Sequence, residues 1–179
     1  MRKVSLLIVI TLIISGAAFA ERYPDMGLKK IGLRVGPAVP DSPYKVGFAF
    51  GLSADLGKLH QIIGVEGNVE YMRVTKTVSE IFTYSHSDIG IIVTGKIIPE
   101  VRELPFQPYL GGGLGVHFLS DKPDPNSSEQ PESETRLELH IAAGATMPIT
   151  DTIDGTFTFK VNLSDISTYN PYLGVLFKL

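Results

Sequence analysis

The sequence predicts an all-β fold in which eight antiparallel strands wind up and down into a closed transmembrane β-barrel. Three observations carry this prediction. Strict apolar/polar alternation recurs in eight segments, while the spacing of an amphipathic helix does not recur. The connections divide into long polar stretches and tighter turns, largely in alternation. The face opposite the apolar one is built mainly of glycine and charge.

Taken in order, the first segment interleaves Ile31, Leu33 and Val35 with Lys30, Gly32, Arg34 and Gly36. The second sets Val46, Phe48, Phe50, Leu52, Ala54 and Leu56 against Lys45, Gly47, Ala49, Gly51, Ser53 and Asp55. The third opposes Val65, Val69 and Tyr71 to Glu66, Asn68 and Glu70. The fourth opposes Ile89, Ile91, Val93 and Ile97 to Asp88, Gly90, Thr94 and Lys96, with Ile92 out of place on the polar side. In the fifth, Leu110, Leu114, Val116 and Phe118 alternate with Tyr109, Gly111, Gly113, Gly115 and His117. In the sixth, Leu137, Leu139, Ile141, Ala143 and Ala145 alternate with Arg136, Glu138, His140, Ala142 and Gly144. Phe157, Phe159 and Val161 against Thr156, Thr158, Lys160 and Asn162 make the seventh. Leu173, Val175, Phe177 and Leu179 against Tyr172, Gly174, Leu176 and Lys178 make the eighth. An even number brings both ends of an up-and-down barrel to one rim.

The expected links Pro37–Tyr44, Thr75–Ser87, Asp121–Ser133 and Ser164–Asn170 are long and polar, and belong on the outer rim. Gly57–His60 and Pro148–Thr152 are short and belong on the opposite rim, where Pro99–Pro108 breaks the pattern by its length.

The beginning of the chain reads as an export leader. Arg2 and Lys3 precede an apolar run from Val4 to Ile14, and Ala18-Phe19-Ala20 offers the small residues of a cleavage site. Residues 1–20 are therefore expected to be a cleaved signal peptide and 21–179 a single domain. The formal charge is −3, and loss of Arg2 and Lys3 takes it to −3 − 2 = −5. That balance argues against nucleic acid as a partner. The absence of cysteine excludes disulfides and thiol chemistry.

Alternation alone suits a soluble barrel as well, with its apolar face turned inward around a small apolar ligand. The charges favour the membrane barrel, with the soluble, lipocalin-like barrel as the alternative. Lys30, Arg34, Lys45, Lys96, Arg136 and Lys160 are balanced by Asp55, Glu66, Glu70, Asp88, Glu138 and Asp154. Charges enclosed in a narrow lumen must be paired, whereas those on a solvated exterior need not be. The expectation is thus lipid outside and a structural lumen network of Arg34, Lys45, Asp55, Glu66, Glu70, Asp88, Lys96, Arg136, Glu138, His140 and Lys160 inside. Tyr71, Phe118, Phe157, Tyr169 and Phe177 fall where an interfacial girdle would sit, although the chain has no tryptophan.

The final stretch YLGVLFKL, with Tyr172, Gly174, Phe177 and Leu179, resembles the C-terminal β-signal by which Gram-negative outer-membrane proteins are recognised for assembly. Tyr172 stands at the position usually held by a polar residue, and Leu179 replaces the more common terminal Phe. Together with Pro108–Phe118, PYLGGGLGVHF, the chain resembles the small outer-membrane barrels of the OmpX and OmpA-barrel kind. The resemblance implies outer-membrane lipid and the assembly machinery as partners, and little about activity.

Reactive chemistry finds weak support. Gly111–Gly115 lies inside a strand, not between a strand and a helix, so it is no phosphate loop. His117 and His140 lie on neighbouring strands and could share a metal with Glu138. Without a third clustered ligand type they read as lumen residues bonded to carboxylates, so no metal or cofactor is expected. Ser85-His86 prompts comparison with lipid-modifying barrel enzymes, but no matching pattern stands on a strand. The acidic stretch 121–133 lacks the spacing of a calcium loop. The chain is expected to be a non-enzymatic barrel with a structural or surface-interaction role, not a general pore.

Overall fold

A computed structural model describes residues 25–179 apart from 42, 78–82, 100, 102, 123–131 and 165. The expected leader 1–20 and most of the acidic stretch 121–133 lie outside the described residues. Eight strands follow one another: β1 (Asp25–Pro40), β2 (Lys45–His60), β3 (Ile63–Thr77), β4 (Thr83–Ile97), β5 (Gln107–Lys122), β6 (Glu132–Pro148), β7 (Ile153–Leu163) and β8 (Thr168–Lys178). Each pairs antiparallel with its sequence neighbour, and β1 closes the ring on β8. Closure satisfies the backbone polar groups that an open edge would leave bare in hydrocarbon.

The side-chain period of two then divides the barrel into an outside and an inside. Leu33, Leu52, Ile91, Leu110, Leu137, Leu139 and Leu173 all stand more than half exposed on the outer wall. Arg34, Glu66, Glu70, Asp88, Lys160 and Asn170 are buried within it. An apolar belt of this extent has no place in water, and lipid is the solvent that suits it. The inverted arrangement is not found: Val46, Phe48, Phe50, Ile89 and Ile91 line no cavity but face outward at 47–62 % exposure. Ile92 is the reverse case, pointing inward at 1 % exposure and filling space beside Gly115. Ala38, Ala49, Met72, Val74 and Tyr172 form a further apolar cluster inside the wall.

The outer connections are shorter than their composition suggests. Strand pairing continues through Thr75↔Ser85 and Lys76↔Tyr84, so much of the expected link 75–87 is strand. Likewise β1 reaches Pro40, and the Asp41 N–H donates to the Ser167 carbonyl at 2.9 Å. Near this rim Thr75 and Lys76, on opposite faces, are both half-buried, as are Tyr84 and Ser85, so alternation fades while the ladder persists.

On the opposite rim, β2 and β3 are joined by residues 61–62 alone. Gly57 just before this turn has φ +88°, and a Cβ there would stand 2.0 Å from the Asp25 carbonyl oxygen, so only glycine fits. The turn 149–152 is held by Thr150, whose Oγ1 accepts from the Ile153 N–H at 3.0 Å. The final residues are tied in on both sides: Leu179 N–H donates to Lys29 C=O at 3.0 Å and Lys178 N–H to Thr152 C=O at 2.9 Å.

Candidate functional site

The middle of the lumen is organised around Glu70 on β3. Its carboxylate accepts from Arg34 on β1, from Lys160 Nζ on β7 at 2.6 Å and from the Tyr172 hydroxyl on β8 at 3.1 Å. Glu66, two pleat repeats before it on β3, accepts from Lys96 and, at 3.4 Å, from Arg34 Nη1. Arg34 also lies over the Tyr172 ring at 5.1 Å, and Lys96 over the Tyr109 ring at 4.3 Å. Small residues make room for these groups. A Cβ on Gly174 would come within 3.0 Å of Arg34 Cβ, and one on Gly51 within 3.0 Å of Glu70 Cγ. Each ion loses its hydration here, so only this multiple pairing makes its burial tolerable.

Two cavities flank this cluster. The outer one, of about 380 Å³, opens among Asp88, Asp121, Glu132, Glu134 and Glu138, with His86 and Arg136 also in its lining. The inner one, of about 270 Å³, is lined by Lys30, Asp55, Lys58, Glu66 and Lys96 among others. No residue lines both. At the inner rim Asp154 bonds to Lys30 at 2.7 Å and Lys178 at 2.9 Å. Asp88 on β4 and Glu138 on β6, which line the outer cavity, and His117 on β5 bring one ligand atom each within 4.8 Å of one another. His117 Nδ1 stands 2.8 Å from Asp88 Oδ2 and 3.7 Å from Glu138 Oε2.

No protein-family model matches the sequence, and no curated protein matches it. Solved structures do match in shape. Neisserial surface protein A superposes with a TM-score of 0.63 at 17 % identity, over 84 % of this chain and 96 % of that one. OprG from Pseudomonas aeruginosa gives 0.58 at 13 % identity, covering 86 % and 97 %. The attachment invasion locus protein Ail of Yersinia pestis gives 0.56 at 16 % identity, covering 85 % and 99 %. The chain has the fold of the small eight-stranded outer-membrane β-barrels.

Within that barrel the expected lumen residues fall into distinct places. Arg34, Glu66, Glu70, Lys96 and Lys160 meet in the central cluster. Asp88 and Glu138 join His117 nearer the outer mouth. His140 bonds to neither carboxylate: its Nε2 is 2.9 Å from Thr94 Oγ1, which also accepts from Asn68 Nδ2 at 3.3 Å. Lys45 departs from the expectation, standing exposed at the end of β2 where a register shift separates it from the regular pleat. Arg136 is half-buried at the mouth and pairs with Glu134 on its own strand at 2.6 Å. Asp55 accepts from the Gly57 N–H at 2.8 Å, a turn contact near the inner rim. His86, expected in a loop, is a buried β4 residue 2.6 Å from Asp121.

Sequence reasoning passed over Tyr172 and Tyr109 as lumen ligands, because it read the first as an assembly signal and the second as one side of a glycine strand. Their signal was present in the parity: each stands on the same face as the glycines that line the interior.

Proposed function

We propose that this chain is a non-enzymatic protein of a Gram-negative-type outer membrane, exported with cleavage of 1–20, whose lumen is closed to general diffusion and whose outer mouth meets partners at the cell surface. The observation that carries this reading is the buried layer of Arg34, Glu70, Lys160 and Tyr172 between two cavities that share no lining residue. An eight-stranded interior is just wide enough for side chains to fill, and here charged side chains fill it. Purified barrel inserted into a planar bilayer is expected to give no steady stepwise conductance. Openings of the size of a water-filled channel would refute the reading.

The mouth suggests which partners suit it. Ail has been solved in complex with the heparin analogue sucrose octasulfate. Here carboxylates dominate the outer lining, so a cationic surface is the complementary partner and a polyanion is disfavoured. A lipid-modifying enzyme is the poorer reading, because His86, His117 and His140 all point into the barrel at 3–4 % exposure and none reaches the lipid face.

Partnership with the assembly machinery rests on the final strand, where Phe177 and Leu179 project outward while Tyr172 serves the lumen. Phe177→Ala is expected to lower outer-membrane yield in cells several-fold while leaving refolding into detergent micelles intact. Equal loss in both settings would mean that Phe177 acts through barrel stability alone.

A further inference from the structure

We propose that Asp88, His117 and Glu138 form a binding site for a first-row divalent cation, entered from the outer mouth, for which Zn²⁺ is the natural probe.

Three independent features point there. First, the donor set is one imidazole nitrogen and two carboxylates from three consecutive strands, gathered within 4.8 Å. Imidazole favours zinc and its transition-metal neighbours, whereas calcium and magnesium favour all-oxygen sets. Second, Asp88 is 5 % exposed and its Oδ1 has no hydrogen-bond partner. A buried carboxylate oxygen left bare costs on the order of 1–3 kcal/mol, and a cation at this group would satisfy it. Third, the imidazole sits in a slot made by absent side chains. A Cβ on Gly90 would lie 2.8 Å from His117 Cε1, and one on Gly115 would lie 3.0 Å from His117 Nε2.

Charge and access agree with this. With a neutral imidazole the three groups carry two negative charges, which a divalent ion balances. The buried cations nearby are committed elsewhere: Lys160 to Glu70, and Arg34 to Glu70 and Glu66. Asp88 and Glu138 both line the outer cavity, so an arriving ion passes Asp121, Glu132 and Glu134 before reaching them. Acidic walls around a low-dielectric cleft concentrate cations at its floor. The residue that completes the set is Asp88, two strands away from Glu138, whereas His140 is turned aside to Thr94.

The test uses the untagged, refolded full barrel in detergent, titrated with ZnCl₂ by calorimetry and with CoCl₂ by visible absorption. One equivalent of Zn²⁺ is expected to bind. Co²⁺ is expected to give an intensified d–d band that Zn²⁺ abolishes. Asp88→Asn and Glu138→Gln should each weaken Zn²⁺ by at least about tenfold, while His86→Gln, which alters the neighbouring His86–Asp121 pair, leaves binding unchanged. If the variants fail to fold, the wild-type cobalt spectrum still decides: a spectrum that stays that of the aqueous ion overturns the proposal. Binding that survives Asp88→Asn but is lost in His86→Gln overturns it too, by placing the ion at the rim.

Discussion

Replacing Glu70 by Gln is expected to lower the stability of the folded barrel by about 3–5 kcal/mol, read from denaturant unfolding in detergent or vesicles. Glu70 is the shared acceptor of Arg34, Lys160 and Tyr172. Arg34 retains Glu66, but Lys160 has Glu70 as its carboxylate partner and is 2 % exposed. Neutralising Glu70 therefore strands an ammonium in a dry interior, which costs far more than the pair contributes when intact. The double variant Glu70→Gln, Lys160→Met should recover a large part of the loss, since removing both partners leaves no uncompensated charge. Strict additivity of the two single changes would show that Lys160 and Glu70 are not coupled, and would sink the account of the central cluster.

The second large effect concerns the outer wall. Leu52 lies mid-strand on β2, paired with Leu33 and Val69, and all three project outward. Leu52→Arg places a charge in the hydrocarbon and is expected to cost about 2–4 kcal/mol of folding free energy in vesicles. Ser53→Ala, one residue along and facing inward, removes no ion pair and should cost under about 1 kcal/mol. Equal, small effects at the two positions would mean that the assigned lipid face does not meet lipid.

Much of this architecture was legible in the residues. All eight strands stand where alternation placed them, because lipid on one side and a packed lumen on the other keep the pattern strict across the membrane. The pattern failed outside that slab. Thr75, Lys76, Tyr84 and Ser85 are paired strand residues that read as loop, because half-burial on both faces removes the contrast that alternation records. Lys45 was misplaced at the same rim, standing where the barrel ends and burial with it.

The candidate site was legible by residue but not by grouping. Parity alone places Asp88, His117 and Glu138 on the inner face, yet their meeting depends on the stagger between strands. In the ladder His117 faces Gly90 and Arg136, and Glu138 faces Gly115. The carboxylates reach the imidazole diagonally, across pairs that a single strand cannot reveal. His117 with His140 was the natural pairing to expect from adjacency, and the real partner lies on the other side, on β4.

The central claim is that one face of every strand meets lipid and the other a closed, charged lumen. The absence of tryptophan makes it directly measurable, because any introduced indole is the sole emitter of its kind. Leu173 and Tyr172 are neighbours in β8, 66 % and 1 % exposed. In vesicles containing brominated acyl chains, Leu173→Trp is expected to be strongly quenched and Tyr172→Trp protected. Equal quenching at both positions, or the reverse order, would contradict the account.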